Sequence, residues 1–221
     1  MQKSTTSTPV STVAWRPKRE IENPFSPEDF ARLTGAEITL NPGREDPNLE
    51  EVFLNILQCQ KSDDQRQPGM VQIHTMSGFG AEIALTKIVP ACRINNLNVK
   101  DVMQTHYAEI QRDIAYRDTF IAVKVSDESQ FKNRKGWWIS KHQQKSLERC
   151  KPFCDYLTVF GSTPVDMAGS FLYRAKYLID LKRFMYDFRR WTDSPSEGSY
   201  SYRFNYEKAI DAKLCIDLQV K

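Results

Sequence analysis

Gly169–Trp191, GSFLYRAKYLIDLKRFMYDFRRW, carries seven aromatic rings and six cations (Arg174, Lys176, Lys182, Arg183, Arg189, Arg190) against two acids, Asp180 and Asp187. Its first half decides the fold. From Phe171 to Leu181 the odd positions read Phe, Tyr, Ala, Tyr, Ile, Leu, and the even positions read Leu, Arg, Lys, Leu, Asp. Successive side chains of a strand point to opposite faces. A period of two over this run therefore predicts a strand with one buried face and one half-polar, basic face. At about 3.3 Å per residue it would span roughly 40 Å, long for a globular strand. Beyond it Phe184, Phe188 and Trp191 fall at helical spacing. The rings thus belong mainly to a core, and the cations form an exposed row.

Working outward, CDYLTVFG (154–161) reads as a preceding strand, joined by a turn around Ser162–Pro164 or at Gly169. DTFIAVKVS (118–126) is a further strand. In DAKLCIDLQV (211–220), Leu214, Ile216, Leu218 and Val220 alternate onto one face. MVQIHTM (70–76) also alternates, AEIALTKIV (81–89) reads as a strand ended by Pro90, and Gly78 and Gly80 between them read as a turn.

Helices are expected before and among these strands. In SPEDFARLTG (26–35) Ser26 caps, Pro27 takes the first helical position, Glu28 and Asp29 favour the positive end, and Gly35 closes it. DPNLEEVFLNILQCQ (46–60) carries the stripe Leu49, Val52, Phe53, Ile56, Leu57, and NVKDVMQTHYAEIQ (98–111) opens on an Asn98 cap. The fold class expected is α+β: N-terminal helices, then a mainly antiparallel β domain with at least one inserted helix. Three regions follow: a mobile polar arm over 1–24 with a basic knot at WRPKRE (15–20), a helical segment and linker over 25–68, and the main α+β domain over 69–221.

A chain of 221 residues, 40% hydrophobic and 27% charged, is globular in composition. Its net charge of +3 is mild, so binding to nucleic acid or membrane must come from local clustering. Five scattered cysteines form no framework and read as free thiols. No signal peptide and no run of about 18 apolar residues is present, so membrane contact would be peripheral, without a transmembrane segment.

Chemistry is sparse. His74, His106 and His142 are the three histidines, and His106 shares the apolar face of its helix. Cys150 and Cys154 with His142 upstream fall short of the four ligands zinc usually takes. SGFGAE (77–82) lacks the Lys-Ser/Thr of a phosphate loop, and no Gly-x-Ser-x-Gly or His-Glu-x-x-His occurs. The expectation is a non-enzyme with no cofactor, no metal and no small-molecule substrate.

The strongest local signal is KNRKGWWISKHQQKSLERCK (132–151). Lys132, Arg134, Lys135, Lys141, Lys145, Arg149 and Lys151 face one acid, Glu148, with Trp137 and Trp138 among them. Paired tryptophans among cations suit an anionic membrane, where rings enter the headgroup region, or a single-stranded nucleic acid, where they stack on bases. A structural alternative has one Trp in the core, its neighbour over an edge and the cations solvating a loop. Arg174, Lys176, Lys182, Arg183, Arg189 and Arg190 make a second basic row that would extend this patch if the fold brings the two together.

A polar arm, a strand (AEIALTKIV), a helix (VKDVMQTHYAEI), a strand (TFIAVKV), a basic loop and a Gly-initiated long strand (GSFLYRAKYLIDL) follow in that order. This layout, over roughly residues 80–182, resembles that of rhabdovirus matrix proteins. The resemblance implies a small α+β structural protein that self-associates and binds nucleocapsid and anionic membrane. It places the protein in the virion and the host-cell interior, peripheral to membrane. No Pro-Pro-x-Tyr or Pro-Thr/Ser-Ala-Pro motif is present. Two other readings stay open: a jelly-roll viral coat protein, suggested by YLTVFGSTPVDMAGSFLYRAKYLIDL (156–181), and a viral movement protein binding single-stranded nucleic acid.

Overall fold

The computed structural model describes residues 21–46, 68–95, 113–132, 138–139, 154–181, 192–193, 202–211 and 213–219. The expected strand is present as β7 (Phe171–Asp180), and the main sheet is organised on it. Upstream lie α1 (Pro27–Leu33), β1 (Glu37–Leu40), α2 (Pro42–Glu45), α3 (Pro68–Ile88), β2 (Arg93–Ile94), β3 (Ile114–Tyr116) and β4 (Thr119–Asp127). Next come α4 (Glu128–Lys132), β5 (Trp138–Ile139) and β6 (Tyr156–Pro164). After β7 follow β8 (Thr192–Asp193), β9 (Tyr202–Phe204), α5 (Tyr206–Asp211) and β10 (Cys215–Asp217).

The seven-stranded sheet runs β1-β7-β6-β4-β3-β2, with β10 also on β7. One side of β7 pairs with β6; the other is shared end to end by β1, against Phe171–Arg174, and β10, against Tyr177–Ile179. All its ladders among the described residues are antiparallel except β4–β6. A three-stranded antiparallel sheet, β5-β9-β8, stands apart. The fold is α+β with a mainly antiparallel sheet, and helices lie between its strands.

Along the β6–β7 ladder Val159 faces Tyr177 while Phe160 faces Ala175, which leaves Lys176 as the extra residue of a β-bulge. The bulge flips the faces of β7. Phe171, Tyr173 and Ala175 enter one core beneath α3, with Leu85, Ile121 and Phe160, whereas Tyr177, Ile179 and Leu181 enter a second, with Leu157 and Val159. Leu178 switches the opposite way, into the first core. The odd positions are buried as expected, but Lys176, Leu178 and Asp180 are buried too, because the sheet is covered on both faces there.

The strands expected over 70–76 and 81–89 are instead one helix, α3. Ser77, Ala81, Ala84, Leu85 and Ile88 pack inward at spacings of three, four and seven, and this stripe outweighs the strand preference of the branched residues. Gly78 and Gly80 therefore lie inside a helix rather than in a turn. At Gly80 a β-carbon would sit 2.6 Å from Pro42 Cγ and 2.5 Å from Tyr173 Cζ, and nearer still to the Tyr173 hydroxyl, so only glycine lets the helix seat here.

The N-terminal reading holds locally. Ser26 Oγ accepts from the Asp29 N–H at 3.2 Å, Pro27 opens α1, and Gly35 turns the chain at φ 69°. However, β1 then joins the main sheet, and Phe25, Leu33 and Leu40 share the first core. The described part of the expected 25–68 segment is thus not a separate helical unit. At the C-terminus the one-face alternation breaks: Leu214 enters the second core while Leu218, with Ile216 packed beside it, belongs to the first. The helices expected over 46–60 and 98–111 lie outside the described residues except Asp46, as do residues 1–20 and Val220.

Candidate functional site

Because β4 and β6 are adjacent and parallel, the chain between them must cross from the C-terminal end of one to the N-terminal end of the other. The basic segment 132–151 forms the body of that crossover. Its start is fixed by α4, whose Phe131 stacks on Tyr206 (centroids 5.9 Å, 27°) and tilts against Tyr177 at 6.1 Å. Tyr177 and Tyr206 stack at 4.5 Å. This aromatic clamp places the beginning of the crossover on the second-core face of the sheet.

The small sheet then ties the two basic segments together. Trp138 in β5 lies opposite Arg203 in β9, and Arg203 lies opposite Asp193 in β8. β8 directly follows the second segment, 182–191. β5, inside the first segment, is thus two strand spacings, about 10 Å, from the end of the second. Together the two segments hold eleven cations against Glu148 and Asp187. Of the residues singled out in them, Lys132 ends α4 and Trp138 begins β5. Arg134, Lys135, Trp137, Lys141, Lys145, Arg149, Lys151, Lys182, Arg183, Arg189 and Arg190 lie outside the described residues.

Arg174 and Lys176 depart from the expected exposed row. Arg174 Nε donates to Glu37 Oε1 at 2.5 Å, directly across the β1–β7 ladder. Lys176 is 5% exposed, ion-paired with Glu128, donates to Gln219 Oε1 at 3.1 Å and lies 5.5 Å over the Phe131 ring. The bulge carries its ammonium inside, where a carboxylate at the first turn of α4 meets it. Gly161 leaves the room: a β-carbon there would stand 2.8 Å from Lys176 Cε and closer to the Glu128 carboxylate. Lys176 thus locks the root of the crossover rather than binding an anion. Glu128, Phe131, Tyr206 and Gln219 went unrecognised in the sequence, since only the bulge reveals what they surround.

Buried thiols mark no second site. Burial pushes Cys92 up to about 12 and Cys215 higher, and Cys154 lies in the second core. No group of three or more His, Cys, Asp and Glu is placed to hold a metal ion among the described residues. Cys150 and His142 lie outside them, as does His106; the backbone of His74 runs within α3.

A carboxylate pair sets the pH response. Burial first, then the charge of Asp113, raises Glu82 well above the ordinary carboxylate range against the pull of Lys124. Burial pushes Asp113 up to about 6, against Lys124 and the Val123 N–H, which donates to Asp113 Oδ2 at 2.7 Å. Both carboxyls therefore hold protons more tightly folded than unfolded. Their contribution to stability is complete below the unfolded carboxylate range, near about pH 4, and is lost as pH rises through about 6 and above. The urea midpoint should be higher at about pH 5 than at about pH 7.5, and Glu82→Gln should raise the neutral-pH value and flatten the dependence.

No helix among the described residues is long and apolar enough to cross a membrane. Comparison with protein-family models, curated proteins and solved structures returns no match for the chain.

Proposed function

We propose that this protein is a non-enzymatic structural and interaction protein of the viral matrix type, which attaches peripherally to an anionic membrane surface and associates with itself and with nucleocapsid. The observation that carries the membrane contact is the β5-β9-β8 sheet, in which Trp138 of the first basic segment pairs with Arg203, and Arg203 with Asp193 just beyond the second. Under this reading Trp137 and Trp138 enter the headgroup layer while the surrounding lysines and arginines pair with phosphates. The aromatic clamp and the Lys176–Glu128 pair hold α4, where the first segment begins, against the sheet. The jelly-roll alternative fits the fold poorly: that architecture is an antiparallel double sheet, whereas here a parallel β4–β6 pair lies in one mixed sheet packed by α3.

Co-flotation with anionic and neutral vesicles across a salt series, with single-stranded RNA as competitor, tests the proposal. Anionic-only, salt-sensitive flotation that survives RNA supports it. Absence of flotation with tight RNA binding replaces it with the movement-protein reading. The triple reversal Lys132→Glu, Arg134→Glu, Lys135→Glu should weaken vesicle binding at least tenfold, given about 1 kcal/mol per basic residue near such a surface, with the melting midpoint unchanged. A variant that unfolds would show those residues to be structural.

A further inference from the structure

Among the described residues three large apolar side chains stand in solvent, and two of them, Val165 at 54% exposure and Met167 at 105%, share the loop between β6 and β7. That loop is tightly held. Asp166 Oδ1 accepts from the N–H groups of Ala168 (2.9 Å) and Ser170 (3.0 Å). The Val165 N–H donates to the Ser170 carbonyl, and Asn41 Nδ2 donates to the Ala168 carbonyl at 2.7 Å. Gly169 makes the bend at φ 88°. The loop is thus pinned at Val165, Ala168 and Ser170, with the Val165 and Met167 side chains left in solvent.

Its position matters. In the parallel ladder Asp127 faces Ser162, so β4 and β6 leave the sheet at the same end. The basic crossover departs from that end through α4, and the Val165–Met167 tip stands there as well. The Ser170 N–H and hydroxyl, then the Ala168 N–H and nearby Arg44, hold the Asp166 carboxyl below its ordinary value and turn it onto its own loop.

We propose that the Val165–Met167 tip inserts into the outer layer of an anionic phospholipid bilayer, acting as the apolar member of the membrane contact. This rests on the membrane reading above and deepens it. A bilayer suits the tip better than a protein does. Two side chains on one loop supply far less than the roughly 800 Å² per partner of a stable protein interface, whereas a lipid layer needs no matching shape. The paired backbone groups at Val165, Ala168 and Ser170 can leave water with little loss, and Arg44 beside the loop offers a cation to lipid phosphate.

The test is flotation of the full chain and its V165S/M167S variant with phosphatidylcholine vesicles, with and without phosphatidylserine, at low and high salt. The variant should melt at the wild-type temperature and bind anionic vesicles about tenfold more weakly. Its remaining binding should vanish with salt, while wild type retains a portion. Equal binding by the two proteins overturns the tip and leaves the basic surface standing. Failure of wild type to float on anionic vesicles overturns both. If light scattering without lipid shows wild type assembling and the variant monomeric, the tip is a contact between copies, and the insertion is overturned.

Discussion

Gly80→Ala should lower the unfolding free energy by about 3 kcal/mol, whereas Gly78→Ala, two residues away on the same helix, should raise it by about 0.5–1 kcal/mol. An added β-carbon at Gly78 meets nothing within 4 Å, so replacement there only removes the backbone-entropy cost of glycine in a helix. At Gly80 it collides with the ring of Tyr173, which is fully buried, and with Pro42. α3 would have to lift from the sheet or Tyr173 would have to leave its rotamer. Tyr173→Phe in the Gly80→Ala background should recover part of the loss, because the hydroxyl disappears while Cζ stays close. Urea unfolding of the four proteins checks this. Equal behaviour of the two glycine variants would mean that α3 does not rest on Tyr173.

Glu128→Ala should cost about 3 kcal/mol, near the lower end for breaking a buried pair because Glu128 itself keeps some exposure. The Lys176 ammonium would be left inside with Gln219 and the Phe131 ring as partners. Lys176→Met, which removes the buried charge, should cost less, and Glu128→Ala with Lys176→Met should recover most of the single loss. Vesicle binding should weaken in Glu128→Ala beyond what its stability explains, because α4 roots the basic crossover. If the double variant is no better than Glu128→Ala, the pair is not the source of the effect.

Much of the sheet is legible in local pattern. The runs read as strands at 118–126, 154–161 and 171–181 are strands at 119–127, 156–164 and 171–180, and the capping residues from Ser26 to Gly35 bound a helix. α3 misleads because its Met, Val and Ile content and two glycines suggest strand and turn, while its inward stripe gains meaning only against the sheet. The fate of Lys176 is likewise absent from its neighbourhood. A perfect alternation places it outside, and a bulge set by the offset between Val159–Tyr177 and Phe160–Ala175 turns it inward. The two basic segments stand out in composition, but their connection through β5, β9 and β8 depends on pairings of two or three residues that carry no periodic signal.

The shared edge of β7 also dictates an order of events during synthesis. Glu37 waits for Arg174, 137 residues later, and β10 follows later still. Until then the apolar sides of α1, β1 and α3 have no β7 to cover them. Such long-range closure is slow and leaves sticky surface open on the nascent chain. Ribosome-bound lengths short of residue 171 should therefore depend on holding chaperones, and the native sheet should close only once β7 has left the ribosome.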